Sequence, residues 1–72
     1  MVYDYSKLKA RIVELFGTQQ NFAKALGTND AYVSKKLKNQ SQFKQADIIK
    51  WCELLKIEPY EVGIYFFTLI VA

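Results

Sequence analysis

Between Asp30 and Asn39 the chain sets Asp30, Ala31, Tyr32, Lys35, Lys36, Lys38 and Asn39 close together, and these side chains carry most of its recognition chemistry. A lysine ammonium donates to guanine O6 or N7 and to phosphate oxygens, and an alanine methyl packs on a thymine methyl. On a helix turning about 100° per residue, Ala31 and Lys35 point away from Val33 and Leu37, with Tyr32 and Lys38 flanking and Lys36 at the side. Against a nucleic-acid groove, Lys35 and Ala31 suit base edges, and Tyr32 suits a base or a phosphate. Lys36, Lys38 and Asn39 are placed for phosphates, which set orientation and salt dependence rather than sequence choice. Asp30 opposes that reading, because phosphates repel a carboxylate unless it accepts from a cytosine amino group. An acid there suits an Arg or Lys of another protein, and an exposed Tyr32 among lysines is a residue type that protein interfaces favour.

Other chemistries lack their residues. There is no histidine, the one cysteine, Cys52, sits in the apolar run IIKWCELL, and no carboxylate pair stands beside a nucleophile. Neither a metal site nor a catalytic triad can be assembled, so we expect no enzyme, no catalytic residue, no cofactor and no small-molecule substrate. A lone thiol cannot close an internal disulfide, which implies a reducing, cytoplasmic setting. Lys7, Lys9, Arg11 and Glu14 interrupt any secretory-type apolar run, and the longest apolar stretch falls short of the roughly 20 residues a membrane span needs.

Those residues must be positioned by a small fold. Seventy-two residues, 51% of them hydrophobic and 24% charged, make a globular composition with room for one domain over residues 1–72. Net charge is +3, unevenly placed: residues 1–38 carry seven Lys/Arg against three acids, and residues 39–72 carry three Lys against four acids. The basic half is the one that holds the Asp30–Asn39 segment, as polyanion binding requires.

Five helices are expected. The first runs from about Ser6 to Phe16, capped by Asp4 or Ser6, with Leu8, Ile12, Leu15 and Phe16 on one face and Gly17 as its stop. Thr18 caps a second helix to about Leu26 that buries Phe22, Ala23 and Leu26, and Gly27 supplies a left-handed exit. Asn29 caps a third to Leu37 or Lys38, buried through Val33 and Leu37. After the loop KNQSQFK, a fourth helix from about Gln45 to Leu55 buries Ile48, Trp51, Cys52 and Leu55, with Ile49 and Leu54 widening the stripe. Pro59 opens a short fifth helix with Val62, Tyr65 and Phe66 turned inward. Two helices meeting at Gly27 with a polar cap on each side spell a helix-turn-helix, whose second helix is built for the DNA major groove.

The segment T-Q-x-x-F-A-x-x-L-G, followed by an Asn cap and V-x-x-x-L, resembles the Cro/CI-type family of phage repressors. That resemblance covers nearly the whole chain and implies an all-α, five-helix lambda-repressor-like DNA-binding domain, with helices two and three as the helix-turn-helix and an extended apolar C-terminal tail. It also implies that Gln19, with Gln20 beside it, braces the third helix and touches backbone phosphate. The ending DIIKWCELLKIEPYEVGIYFF is similar to the small helix-turn-helix regulators of prophages and temperate phages of Gram-positive bacteria, and the chain resembles the modulator-of-repression antirepressors of lactococcal phages in size and style.

The tail YFFTLIVA has Thr68 as its only polar break and admits two readings. Phe66 and Phe67 complete the core and Leu69 to Val71 fold back over it, or Phe67, Leu69, Ile70 and Val71 form a dimer or partner interface. The leading function is a Cro-like regulator of the lysis-lysogeny switch, a homodimer binding double-stranded operator DNA and opposing the CI-type repressor. The alternative is an antirepressor that complexes with the cognate CI-type repressor and masks its DNA-binding surface.

Overall fold

The computed structural model describes residues 2–70, in which five α-helices and one 3-10 turn follow in order: α1 (Ser6–Phe16), α2 (Gln19–Leu26), α3 (Asp30–Leu37), α4 (Gln45–Leu55), the turn Pro59–Glu61 and α5 (Val62–Phe66). No strand forms among the described residues.

Local chemistry sets each boundary. Asp4 Oδ1 accepts from the Ser6 amide at 2.9 Å, so of the two expected caps it is Asp4 whose side chain serves α1, and Ser6 is already helical. Thr18 Oγ1 accepts from the Asn21 amide at 3.1 Å and Asn29 Oδ1 from the Tyr32 amide at 2.9 Å, satisfying donors that the first turns of α2 and α3 leave orphaned. Gly27 takes φ 80° and Asn39 φ 62°, closing α2 and α3 with paired carbonyl-capping bonds such as Thr28 N–H to Ala23 O and Gln40 N–H to Lys35 O, each 2.9 Å. At the start of α4, Asp47 reaches back to the Lys44 amide at 2.9 Å. Its end is capped from α1, where Arg11 donates through Nε to Leu55 O at 2.9 Å and through Nη2 to Lys56 O at 3.3 Å. The expected fifth helix is split, because Glu61 accepts from the Glu58 amide at 3.0 Å and draws Pro59–Glu61 into the tighter turn.

The core is one cluster in which Leu8, Ile12, Phe22, Val33, Trp51, Leu55 and Phe66 are fully buried. The Trp51 ring meets Phe22 and Phe43 edge-on, both at 4.8 Å between centroids, and Phe43 meets Phe66 at 5.1 Å. Such pairs add about 0.5–1.5 kcal/mol each beyond their buried area, which matters in so small a domain. Phe43, a loop residue, thus joins α4 to α5. Leu15 and Ile49, expected on buried stripes, are exposed instead, because the short α1 and α4 are covered along a narrower band than their apolar residues span.

Residues 2–4 and 68–70 run antiparallel, with Asp4 N–H on Thr68 O at 2.7 Å and Ile70 N–H on Val2 O at 3.0 Å around the Tyr3–Leu69 bridge. On the other edge of Tyr3, the Asn39 carboxamide accepts from the Tyr3 amide and donates to its carbonyl, both at 2.9 Å, as a neighbouring strand would. The tail therefore folds back through its backbone. Its side chains do not follow: Phe66 is buried, whereas Phe67, Leu69 and Ile70 are exposed, Phe67 resting edge-on against Tyr3. Completion of the core by Phe67 is corrected, since α5 ends at Phe66 and turns the next side chain outward. Val71 lies outside the described residues.

Candidate docking face on α2, α3 and α4

Capped at Thr18 and Asn29 and joined through the Gly27 turn, α2 and α3 present Gln20, Ala31, Tyr32, Lys35 and Lys38 to solvent. Lys35 and Lys38 make no ion pair among the described residues. Gln19 is half-buried, and its Nε2 donates to Asp30 Oδ1 at 2.9 Å, so the amide expected on phosphate is engaged by the acid that opens α3. Helix joins helix through that bond, and the Asp30 charge keeps one partner on its own surface.

Two expected phosphate ligands are corrected. Lys36 is 3% exposed. Its ammonium donates to Gln42 O at 2.6 Å and Ser41 Oγ at 3.4 Å and pairs with Asp47 Oδ2 at 3.1 Å. It also lies 5.0 Å from the Tyr32 ring centroid and 5.6 Å from that of Phe43. The helical wheel put Lys36 at the side of α3, but the loop 41–43 and the start of α4 close over that side, where the charge is paired and fully bonded as a buried lysine requires. Asn39 is the second, because its carboxamide is engaged with Tyr3.

Asp47 is the residue that sequence reasoning missed. One oxygen takes the Lys36 ammonium and the Lys44 amide; the other accepts from the Tyr32 hydroxyl at 3.2 Å. Partial burial pushes its carboxyl up, but the Lys44 amide, the Lys36 ammonium and the Tyr32 hydroxyl together bring it below the ordinary carboxylate value. An acid three residues after Lys44 was the available signal, since that position caps a helix by reaching back.

Tyr32 and Asp47 line two adjoining clefts. One, of about 170 Å³, is completed by Leu26, Thr28, Lys50 and Trp51; the other, of about 590 Å³, by Lys36, Ser41, Gln42, Phe43 and Lys44. This face carries an aromatic ring, apolar and polar walls and flanking lysines. Among the described residues no group of His, Cys, Asp and Glu could hold a metal ion, and no helix is long and apolar enough to cross a membrane.

Over residues 1–69 the chain matches the family model described as protein of unknown function DUF739, and it belongs to that family. Among solved structures, it is similar to the solution structure of the modulator of repression (MOR) of the temperate bacteriophage TP901-1 from Lactococcus lactis. That chain is 42% identical, with a TM-score of 0.82 over 93% of this chain and 90% of the other. No curated protein matches.

Proposed function

We propose that this chain is an antirepressor of a phage genetic switch, which binds the cognate CI-type repressor and masks that protein's DNA-binding surface. The observation that carries the proposal is the likeness to the TP901-1 modulator of repression, in sequence and in fold, over nearly the whole chain. In this reading α2, the Gly27 turn and α3 act as a Cro/CI-type helix-turn-helix turned toward a protein. Gln19, Gln20, Asp30, Ala31, Tyr32, Lys35 and Lys38 form the contact face, and the complex forms in the host cytoplasm.

The charge layout supports the same choice over a Cro-like operator binder. Of the seven Lys/Arg in the basic half, Arg11 caps α4 and Lys36 is buried against Asp47. Each phosphate neutralised steepens the salt dependence by about one power of salt concentration, so with Lys36 withdrawn α3 offers a phosphate only Lys35 and Lys38, with Lys44 and Lys50 beside the clefts, and its hold on duplex DNA is reduced and salt-sensitive. Lys35 and Lys38 beside Ala31 are what favours the operator reading, which serves as the second arm of the test.

Purified chain is mixed with the CI-type repressor of the same switch region and followed by calorimetry and size exclusion, and separately with early-promoter DNA by gel shift. A complex with the repressor at micromolar concentration or tighter is expected. Absence of that complex, with a shift of promoter DNA by the chain alone, overturns the antirepressor reading in favour of the Cro-like one.

A further inference from the structure

An exposed tyrosine on a helix ordinarily samples several rotamers, and ordering it opposes binding. Tyr32 is held at two points instead. Its hydroxyl donates to Asp47 Oδ1 at 3.2 Å, and the Lys36 ammonium stands 5.0 Å from the ring centroid, against the π-face. The carboxylate that receives the hydroxyl is itself fixed, since Oδ2 is anchored at 3.1 Å by Lys36 Nζ and at 2.9 Å by the Lys44 amide. Lys36 is fixed in turn by Gln42 O at 2.6 Å. The chain of contacts thus runs from the closed loop through a buried ammonium and a carboxylate to the ring that divides the two clefts.

We propose that Asp47 is a positioning residue of the docking face: it fixes Tyr32 as a rigid aromatic wall, and a protein partner reads that pre-set ring as an anchor. The binding half of this inference rests on the antirepressor reading; the positioning half does not. Large aromatic side chains are the residues that most often anchor protein interfaces, and rigidity before contact lowers the entropy lost on binding. Asp47 acts through Tyr32, so its replacement alters affinity only as far as it frees the ring. Asparagine keeps both contacts, since its oxygen accepts from the Lys44 amide while its amide group donates to the Tyr32 phenol oxygen, whereas alanine removes both.

The experiment compares wild type, Asp47→Ala, Tyr32→Phe and the double variant, using the CI-type repressor of the same switch region as probe. NMR of the tyrosine rings should show the Tyr32 signals of Asp47→Ala moving toward rotamer-averaged values, while those of the far more exposed Tyr60 stay in place. Each single variant should weaken repressor binding about tenfold, the loss of one hydrogen bond to a charged group, and the double variant should bind no worse than either. Tyr32→Phe leaves the Lys36–Asp47 pair intact, so its affinity is interpretable even where Asp47→Ala folds poorly. Unmoved Tyr32 signals in Asp47→Ala, wild-type affinity in Tyr32→Phe, or losses that multiply in the double variant each overturn the proposal. A wild-type chain that ignores the repressor defeats the antirepressor reading and the anchor, whereas the ring signals still decide the positioning.

Discussion

Replacing Lys36 by methionine separates an internal anchor from a surface cation most sharply. The thioether keeps the length of the stem and much of its packing but removes the ammonium of a side chain that is 4% exposed and that holds Gln42 O at 2.6 Å and Asp47 Oδ2 at 3.1 Å. Breaking a fully buried pair costs about 3–5 kcal/mol, mainly through the charge left behind. Here Asp47 retains the Lys44 amide and the Tyr32 hydroxyl, and its side chain is 20% exposed to water, so the remaining charge is only partly stranded. Adding the lost bond to Gln42 O and the two ring contacts, we expect a destabilisation of about 2 kcal/mol. For a domain of this size that lowers Tm by about 8–16 °C. Lys35→Met, one residue away on the open face, should stay within about 0.5 kcal/mol of wild type. Urea and thermal unfolding followed by far-UV circular dichroism measure both. Equal stability of the two variants would refute the placement of Lys36 as the link between α3 and α4.

Stability should fall as pH drops from about 5 to 3. The folded pKa of Asp47 is depressed, so its contribution is complete above the ordinary carboxylate value and vanishes as the carboxyl protonates. Asp4, also depressed, through its bonds with Ser6, adds to the same slope, so Asp47→Asn should flatten the acid limb of a pH series of unfolding curves without abolishing it. Gly27→Ala should cost about 1 kcal/mol, because φ 80° strains any side chain, although an added Cβ would meet nothing within 4 Å; chemical denaturation would measure it. Asn39→Ala should free the N-terminal segment, seen as faster hydrogen exchange at the amides of Tyr3, Asp4 and Ile70, and unchanged protection there would contradict the strand-like role of its carboxamide.

The limits of α2 and α3 were legible because each is written in local chemistry: Thr18, Gly27 and Asn29 act within a few residues of where they stand. The inward residues of α2 and α3 follow from helical spacing, as Phe22, Ala23, Val33 and Leu37 show. What escaped was settled by distant segments. Lys36 has the wheel position of a half-exposed lysine, and its burial depends on a loop and on Asp47, eleven positions further along. Phe43 read as loop, yet it fills the gap between Trp51 and Phe66. Asn39 read as a phosphate donor, and the N-terminal segment that engages it lies thirty-six positions away. In the tail, the fold-back reading holds for the backbone of residues 68–70, but the edge that receives it depended on where Val2–Asp4 lies.

The central claim is that this chain acts on a repressor rather than on DNA, and competition on one operator tests it most directly. Labelled operator carrying bound CI-type repressor is titrated with the chain while fluorescence anisotropy is recorded, with a parallel titration of free operator. The account predicts that anisotropy falls to the value of free DNA as repressor is withdrawn, and that free operator does not respond at the same concentrations. A rise in anisotropy on free operator, with the repressor complex dissolving only as the chain takes its place on the DNA, would contradict it.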